Sequence, residues 1–155
     1  MPAKAHQLKN KQGMIANRRN HGILHTIRTT AYIQAILHES ILAKKITPDQ
    51  KKSMQQQLEI AACFDITGRE DESGQKSNPV RYKESRVTAA NNFKEYVKNN
   101  KWAKKVFKND EQFIDQFAKD VIEHRGSTKA TTEHLKTCSQ VLGFAHNLDL
   151  ARCKT

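Results

Sequence analysis

The sequence has few of the residues that interrupt or cross-link a chain. It contains three prolines, six glycines and three cysteines among 155 residues. So little proline and glycine excludes collagen-like and proline-rich proteins and disfavours most all-β folds. The cysteines, Cys63, Cys138 and Cys153, form no CxxC pair and are odd in number, so neither a disulfide framework nor a zinc knuckle is indicated. These absences favour a reducing, cytoplasmic environment.

Long apolar runs are also missing. No segment approaches the roughly 18 to 20 apolar residues that cross a bilayer, and the N-terminus lacks the apolar stretch of a signal peptide. We therefore expect a soluble protein without a membrane partner. What is abundant is positive charge, because 27 Lys and Arg face 16 Asp and Glu for a net charge of +11. Such a surface attracts phosphates, nucleic acid or acidic proteins.

The length allows one compact domain. Residues 1–20 hold five basic and no acidic residues, which predicts a basic N-terminal arm, either a mobile tail or a docking segment. Residues 21–155 are predicted to form a single helical domain. Helical periodicity and turn residues place the predicted helices at residues 21–45, 48–64, 82–99, 102–107, 111–124 and 131–152. The fold class is all-α, a compact bundle of five to six helices.

The first predicted helix has apolar residues on most sides, which is typical of a buried helix. Its segment HGILHTIR, followed by Tyr32, aligns His21, His25, Arg28 and Tyr32 in one stripe. Buried imidazoles need hydrogen-bond partners or a wet cavity, so the stripe predicts a polar pocket. Histidine suits proton transfer near neutral pH and nucleophilic attack, but a pair of structural histidines explains the spacing equally well.

Two other segments are candidates for completing the pocket. One runs from Cys63 to Glu70 at the end of the second helix, and the other, opening the third helix, contains Glu84. A carboxylate against a histidine fixes its tautomer, the role predicted for Glu84; alternatively, Glu84 is an acid favoured by the helix dipole. Near the C-terminus, His146 and Asp149 lie three residues apart on one helix face.

The order of these segments resembles the phosphodiesterase domain of the SidE family of bacterial effectors. The matching features are Arg18 and Arg19 before the HGxxHxxR helix, an apolar-Asp-x-x-x-Arg-Glu turn, the Glu84-Ser85 pair and a late Leu-Asp-x-x-Arg helix. The resemblance spans nearly the whole chain and corresponds to the N-terminal half of the family's domain, so the chain is expected to be truncated relative to the family.

The resemblance implies a helical fold distantly similar to HD-type hydrolases, working without a metal or other cofactor. It implies cleavage of the phosphodiester of ADP-ribosylated ubiquitin, or of phosphoribosyl-linked ubiquitin conjugates, through a histidine intermediate. By position, His21 and His25 are the candidates for the first catalytic histidine and Glu84 is the orienting carboxylate. Arg18, Arg28 and Arg69 would bind phosphate. Ubiquitin is the implied partner, and the family's habit is export into a host cell.

Two positions depart from the family pattern. Phe64 stands where the His of a His-Asp pair is expected, which makes a binuclear metal site improbable. The second catalytic histidine aligns with Gly143, and His146, one turn further on, is the candidate replacement. An active phosphodiesterase is the favoured interpretation despite these departures. The alternative is a degenerate, non-catalytic member that binds ubiquitin or a phosphorylated ligand. Nucleic-acid binding ranks last because the basic residues are scattered and no recognised motif accompanies them.

Overall fold

Six α-helices dominate the part of the chain that the computed structural model describes, namely residues 7–9, 15–17, 23–67 and 79–153. They are α1 (Ile23–Leu42), α2 (Pro48–Phe64), α3 (Pro79–Asn99), α4 (Lys101–Val106), α5 (Glu111–Phe117) and α6 (Glu133–Cys153). Helix α5 continues as a π-helical segment, Ala118–Glu123. The all-α prediction is confirmed.

Two three-residue strands were not foreseen. Strands β1 (Gln7–Lys9) and β2 (Ile15–Asn17) pair antiparallel, with Leu8 opposite Ala16. Both strands fall within the predicted basic arm, whose other residues lie outside the described part of the chain.

Polar side chains at the N-termini explain where several helices begin. Thr47 and Gln50 form a capping box at α2, in which the Gln50 amide donates to Thr47 Oγ1 at 3.2 Å and the Thr47 amide donates to Gln50 Oε1 at 2.8 Å. Asn100 caps α4 and Asp110 caps α5 through side-chain oxygens. The predicted start of α2 is therefore confirmed, with Pro48 at its first position.

The centre of the bundle is aromatic. Phe93 of α3, Phe107 after α4 and Phe117 of α5 are all fully buried. Their ring centroids lie 4.9 to 5.5 Å apart, in one stacked and two edge-to-face pairs. Burial of such rings is a main source of folding free energy. No helix in the described ranges is long and apolar enough to cross a membrane.

Helix α1 lies at the surface of the bundle, so the prediction that it is buried nearly all round is wrong. It packs mainly against α2 and α6, and its buried residues recur every four positions, at His25, Thr29, Ile33 and Leu37. The opposite side is open: Ile23, Leu24, Ile27 and Leu42 are 56 to 72% exposed. The periodicity could not distinguish a central helix from an outer one with apolar residues on its exposed face.

The turn between the π-helical segment and α6 packs directly on the α6 backbone. Gly126, at φ +82°, donates its amide to the carbonyl of Ser139 at 3.1 Å. A Cβ on Gly143 would lie 2.8 Å from the Gly126 Cα, so a side chain at position 143 has no space. This glycine-to-glycine contact brings Arg125 against α6, where it enters the cluster described next.

Candidate functional site

Five buried polar residues converge where α1, α3, α6 and the end of α2 meet. They come from four separate stretches of the chain: His25 from α1, Asp65 just after α2, Arg86 from α3, and His146 and Asp149 from α6. Each is at most 5% exposed. Buried polar groups are stable only when they are paired, and here they pair with one another.

His25 connects a carboxylate to a second imidazole. Its Nδ1 lies 2.6 Å from Asp149 Oδ2, and its Nε2 lies 3.1 Å from His146 Nδ1. A carboxylate only accepts, so His25 Nδ1 donates to Asp149, which leaves Nε2 of the neutral ring as an acceptor for the Nδ1–H of His146. The rings meet edge to face with centroids 4.9 Å apart. The result is a continuous hydrogen-bonded chain, Asp149–His25–His146.

Two arginines hold the far side of Asp149. Arg28 Nε donates to Asp149 Oδ1 at 2.5 Å, and Arg152 Nε donates to the same oxygen at 3.2 Å. Burial alone would raise the pKa of Asp149, but hydrogen bonds from Arg28, His25 and Arg152 lower it to about 2. Asp149 is therefore a carboxylate at neutral pH, fixed in orientation by partners on both sides.

A second carboxylate, Asp65, is held by two further arginines. Arg86 donates to Oδ1 at 2.6 Å and Arg125 donates to Oδ2 at 2.5 Å. Burial would raise the pKa of Asp65, yet Arg125 and Arg86 keep it well below its ordinary value. Asp65 Oδ2 also lies 3.4 Å from His146 Nδ1, so both carboxylates reach the histidine pair.

Arg86 also joins two helix ends. Its guanidinium donates to the backbone carbonyl of Asp65, at the C-cap of α2, and to the carbonyl of Ile122, near the end of the π-helical segment. Carbonyls at a helix C-terminus lack partners within the helix and favour a cation. Arg86 therefore fixes the position of Asp65 relative to the rest of the site.

Both histidines are neutral at pH 7. Burial lowers the pKa of His146 to about 4, an effect that Asp65 only partly offsets. Burial likewise lowers the pKa of His25, against the opposing effect of Asp149. Because the proton of His146 lies on Nδ1 in the hydrogen-bonded chain, its Nε2 atom carries the lone pair of the ring.

The structure brings together His25, Arg28 and His146 from the set of site residues predicted from sequence. It does not bring Glu84 to them: that side chain is exposed on α3 and forms no hydrogen bond or ion pair with either histidine. The carboxylate on His25 is Asp149, which corrects the orienting role expected of Glu84. His21, Arg18 and Arg69 lie outside the described residues.

Sequence reasoning missed Arg86 and Arg125 and gave Asp65 and Asp149 no role at the histidines. A signal for Arg86 was present, because it lies on the same side of α3 as the buried Phe93 and Val97, at helical spacing. A charged residue on an apolar stripe needs a buried partner. Arg125 lies in a turn and gave no comparable signal.

In the described ranges, no group of three or more His, Cys, Asp or Glu side chains is arranged to hold a metal ion. Phe64 occupies the position of the histidine in the family's His-Asp pair. Its ring centroid lies 5.1 Å from that of Tyr96 and 6.3 Å from that of Phe93. Phe64 thus belongs to the aromatic core rather than to the polar cluster.

Comparison with known proteins gives the family. The model of the SidE phosphodiesterase (PDE) domain matches residues 2–155. The chain belongs to the SidE phosphodiesterase family. The resemblance seen in the sequence is thereby confirmed, as is the prediction of a phosphodiesterase domain.

Two curated relatives of this SidE phosphodiesterase domain come from Legionella pneumophila. The ubiquitinating/deubiquitinating enzyme SdeA is 28% identical over 160 residues, and the ubiquitinating enzyme SidE is 31% identical over the same length. In both comparisons the match covers 92% of this chain and 10% of the relative. The chain thus spans about a tenth of the length of these relatives. No solved structure matches it, so the likeness to HD-type hydrolases stays a prediction.

Proposed function

We propose that this domain cleaves the phosphodiester of ADP-ribosylated ubiquitin, or of phosphoribosyl-linked ubiquitin conjugates, through a histidine intermediate. The family match and the names of the two relatives support the substrate class. The observation that supports the mechanism best is the Asp149–His25–His146 hydrogen-bonded chain. A carboxylate behind an imidazole is the usual arrangement that orients a catalytic histidine.

His146 is the histidine that we assign to bond formation. Both ring nitrogens of His25 are already engaged, Nδ1 by Asp149 and Nε2 by His146. The Nε2 lone pair of His146 would attack phosphorus, forming an N–P bond while the P–O bond to AMP breaks and AMP leaves with the electron pair. His25 and Asp149 would stabilise the positive charge that develops on the His146 ring. Water or a substrate serine would then take the phosphoribosyl group.

The other residues predicted from sequence have narrower roles in the proposal. Arg28, 26% exposed at the edge of the cluster, is proposed to bind substrate phosphate together with Arg18 and Arg69. His21 is proposed as the alternative to His25 for the first catalytic histidine.

A non-catalytic ubiquitin- or phosphate-binding module is the second candidate function. The burial of the histidines favours it, since His25 is 2% and His146 is 1% exposed. Attack at Nε2 therefore requires the site to open when substrate binds. A purely structural histidine pair would need no such opening.

Release of AMP from ADP-ribosylated ubiquitin tests the proposal. We expect the wild-type protein to release AMP and His146→Asn to lose at least about 10³-fold in rate, because asparagine keeps a donor near the Nδ1 position but has no nucleophilic nitrogen. His25→Ala should lose a similar factor. His38→Ala, on the exposed side of the same helix, is the matched control and should retain full activity.

Two results would separate the candidate functions. A folded wild-type protein that binds ubiquitin without releasing AMP would support the binding module. Equal rates for His146→Asn and wild type would contradict the assignment of the reacting nitrogen.

The origin of the relatives also leads us to propose action inside a host cell after export, which a translocation reporter fused to the chain would check.

A further inference from the structure

The Nδ1 atom of His146 faces one hydrogen-bond acceptor and one carboxylate. One is His25 Nε2 at 3.1 Å and the other is Asp65 Oδ2 at 3.4 Å. A proton on Nδ1 bonds to His25 Nε2 and points its positive end toward the nearby carboxylate, whereas a proton on Nε2 would leave the Nδ1 lone pair facing the lone pair of His25 and that carboxylate. The surroundings of the ring therefore favour the tautomer with the proton on Nδ1, and Asp65 is one of the two groups that favour it.

Asp65 is itself unable to turn away. Arg86 holds Oδ1 at 2.6 Å, Arg125 holds Oδ2 at 2.5 Å, and Arg86 also bonds the backbone carbonyl of Asp65. The residue is 2% exposed, so water does not compete for these bonds. A carboxylate fixed at both oxygens and at its own backbone presents Oδ2 to His146 in one orientation.

We propose that Asp65 is a positioning residue that keeps the proton of His146 on Nδ1 and so leaves Nε2 free to react. This inference rests on the proposed function, and it adds a second carboxylate to the one that acts through His25. Asp149 reaches His146 only across the His25 ring, whereas Asp65 contacts it directly. In this role Asp65 orients the His146 ring and takes up no transferred group itself.

The same position of Asp65 also stabilises the positive charge that forms on the His146 ring during the reaction. When Nε2 forms its bond to phosphorus and AMP departs, the His146 ring becomes an imidazolium that still holds the Nδ1 proton. Asp65 and His25 are the groups placed to share that proton. A carboxylate beside the new cation lowers its energy at the step where charge appears.

The tautomer can be measured directly on the full chain labelled with ¹⁵N-histidine. Long-range ¹H–¹⁵N correlation spectra distinguish a protonated from an unprotonated ring nitrogen, and His146→Asn assigns the signals. We expect wild-type His146 to carry its proton on Nδ1. In Asp65→Asn only His25 Nε2 still favours a proton on Nδ1 and the amide can donate to Nδ1, so the share of His146 that carries its proton on Nε2 should rise. AMP release should then fall by about 10² to 10⁴-fold in kcat, with KM changed less than about twofold.

Asp115→Asn is the control, since Asp115 is 52% exposed and pairs only with Lys98 among the described residues. It should change neither the spectrum nor the rate. A wild-type spectrum with the proton of His146 on Nε2 overturns the positioning role whether or not AMP is released, and it needs no variant that could fail to fold. An unchanged tautomer in folded Asp65→Asn overturns it as well. A wild-type protein with the expected tautomer that releases no AMP contradicts the proposed function instead.

Discussion

The bundle has two buried regions that differ in how they are stabilised. In the aromatic core, Phe93, Phe107 and Phe117 need only neighbours of suitable size and shape. In the polar cluster, each group needs a specific partner at a specific atom, as His25 needs Asp149 on Nδ1. A ring in the aromatic core can be replaced by another apolar side chain at modest cost.

The polar cluster tolerates less, because removing one member leaves another buried and unpaired. Such a network costs stability that an apolar core would have retained. Substitutions and a change of pH should therefore affect the two regions to different extents.

The largest change in stability should come from Arg86→Met. This variant keeps the length of the side chain but leaves Asp65 with one fewer cation and removes the donor to two backbone carbonyls. We expect the free energy of unfolding to fall by about 3 to 5 kcal/mol. Phe117→Leu in the aromatic core should cost only about 1 kcal/mol. Denaturant unfolding of both variants measures the difference, and equal losses would remove the distinction between the two regions.

Acid should destabilise the protein through the polar cluster. The folded protein binds a proton at His146 only near pH 4, whereas the unfolded chain binds it near 6.5. The unfolded state therefore holds more protons between these values, and the free energy of unfolding should fall by about 3 kcal/mol as pH drops from 6.5 to 4. Asp149, with its pKa of about 2 against 3.8 unfolded, adds a further loss below pH 4. Denaturant midpoints across this range measure the effect.

His146→Asn is the matched variant for the acid prediction. Without the imidazole, the unfolded chain no longer gains a proton at position 146. The decline between pH 6.5 and 4 should then become shallower than in the wild-type protein. An identical decline in the two proteins would show that His146 is not the group responsible.

The helices could be predicted from the sequence far better than the polar cluster. Caps such as Thr47 and apolar periodicity act over a few residues, so the helix boundaries mostly fell within three residues of those observed. The contact between His25 and Asp149 joins residues 124 positions apart. It depends on how α1 packs against α6, which no local pattern encodes.

Glu84 illustrates the same limit of prediction from local sequence. Its type and its place near the start of a helix suited an orienting carboxylate, but the packing of α3 leaves it exposed and turns Arg86 inward instead. Residue type predicts which side chains are able to orient a histidine. Only the packing of the helices decides which of them reaches it.

Gly143→Ala should have a smaller effect that links the two regions. The new Cβ would meet the Gly126 backbone at 2.8 Å and push away the turn that holds Arg125. We expect a loss of about 1 to 3 kcal/mol in the free energy of unfolding. Asn147→Ala, exposed on the same helix, is the control and should be nearly neutral. A neutral Gly143→Ala would show that the turn can shift, and that a histidine at position 143 is not excluded by packing.

The smallest effect should follow from breaking an ion pair at the surface. Lys98 Nζ lies 2.7 Å from Asp115 Oδ1, a distance close to the 2.6 Å between Arg86 and Asp65. The two pairs differ in burial, since Lys98 and Asp115 are 32% and 52% exposed. Water solvates each partner when the other is lost, so Lys98→Met should change the free energy of unfolding by at most about 1 kcal/mol. A loss as large as that of Arg86→Met would mean that the length of an ion pair, rather than its burial and its backbone partners, sets its contribution to this fold.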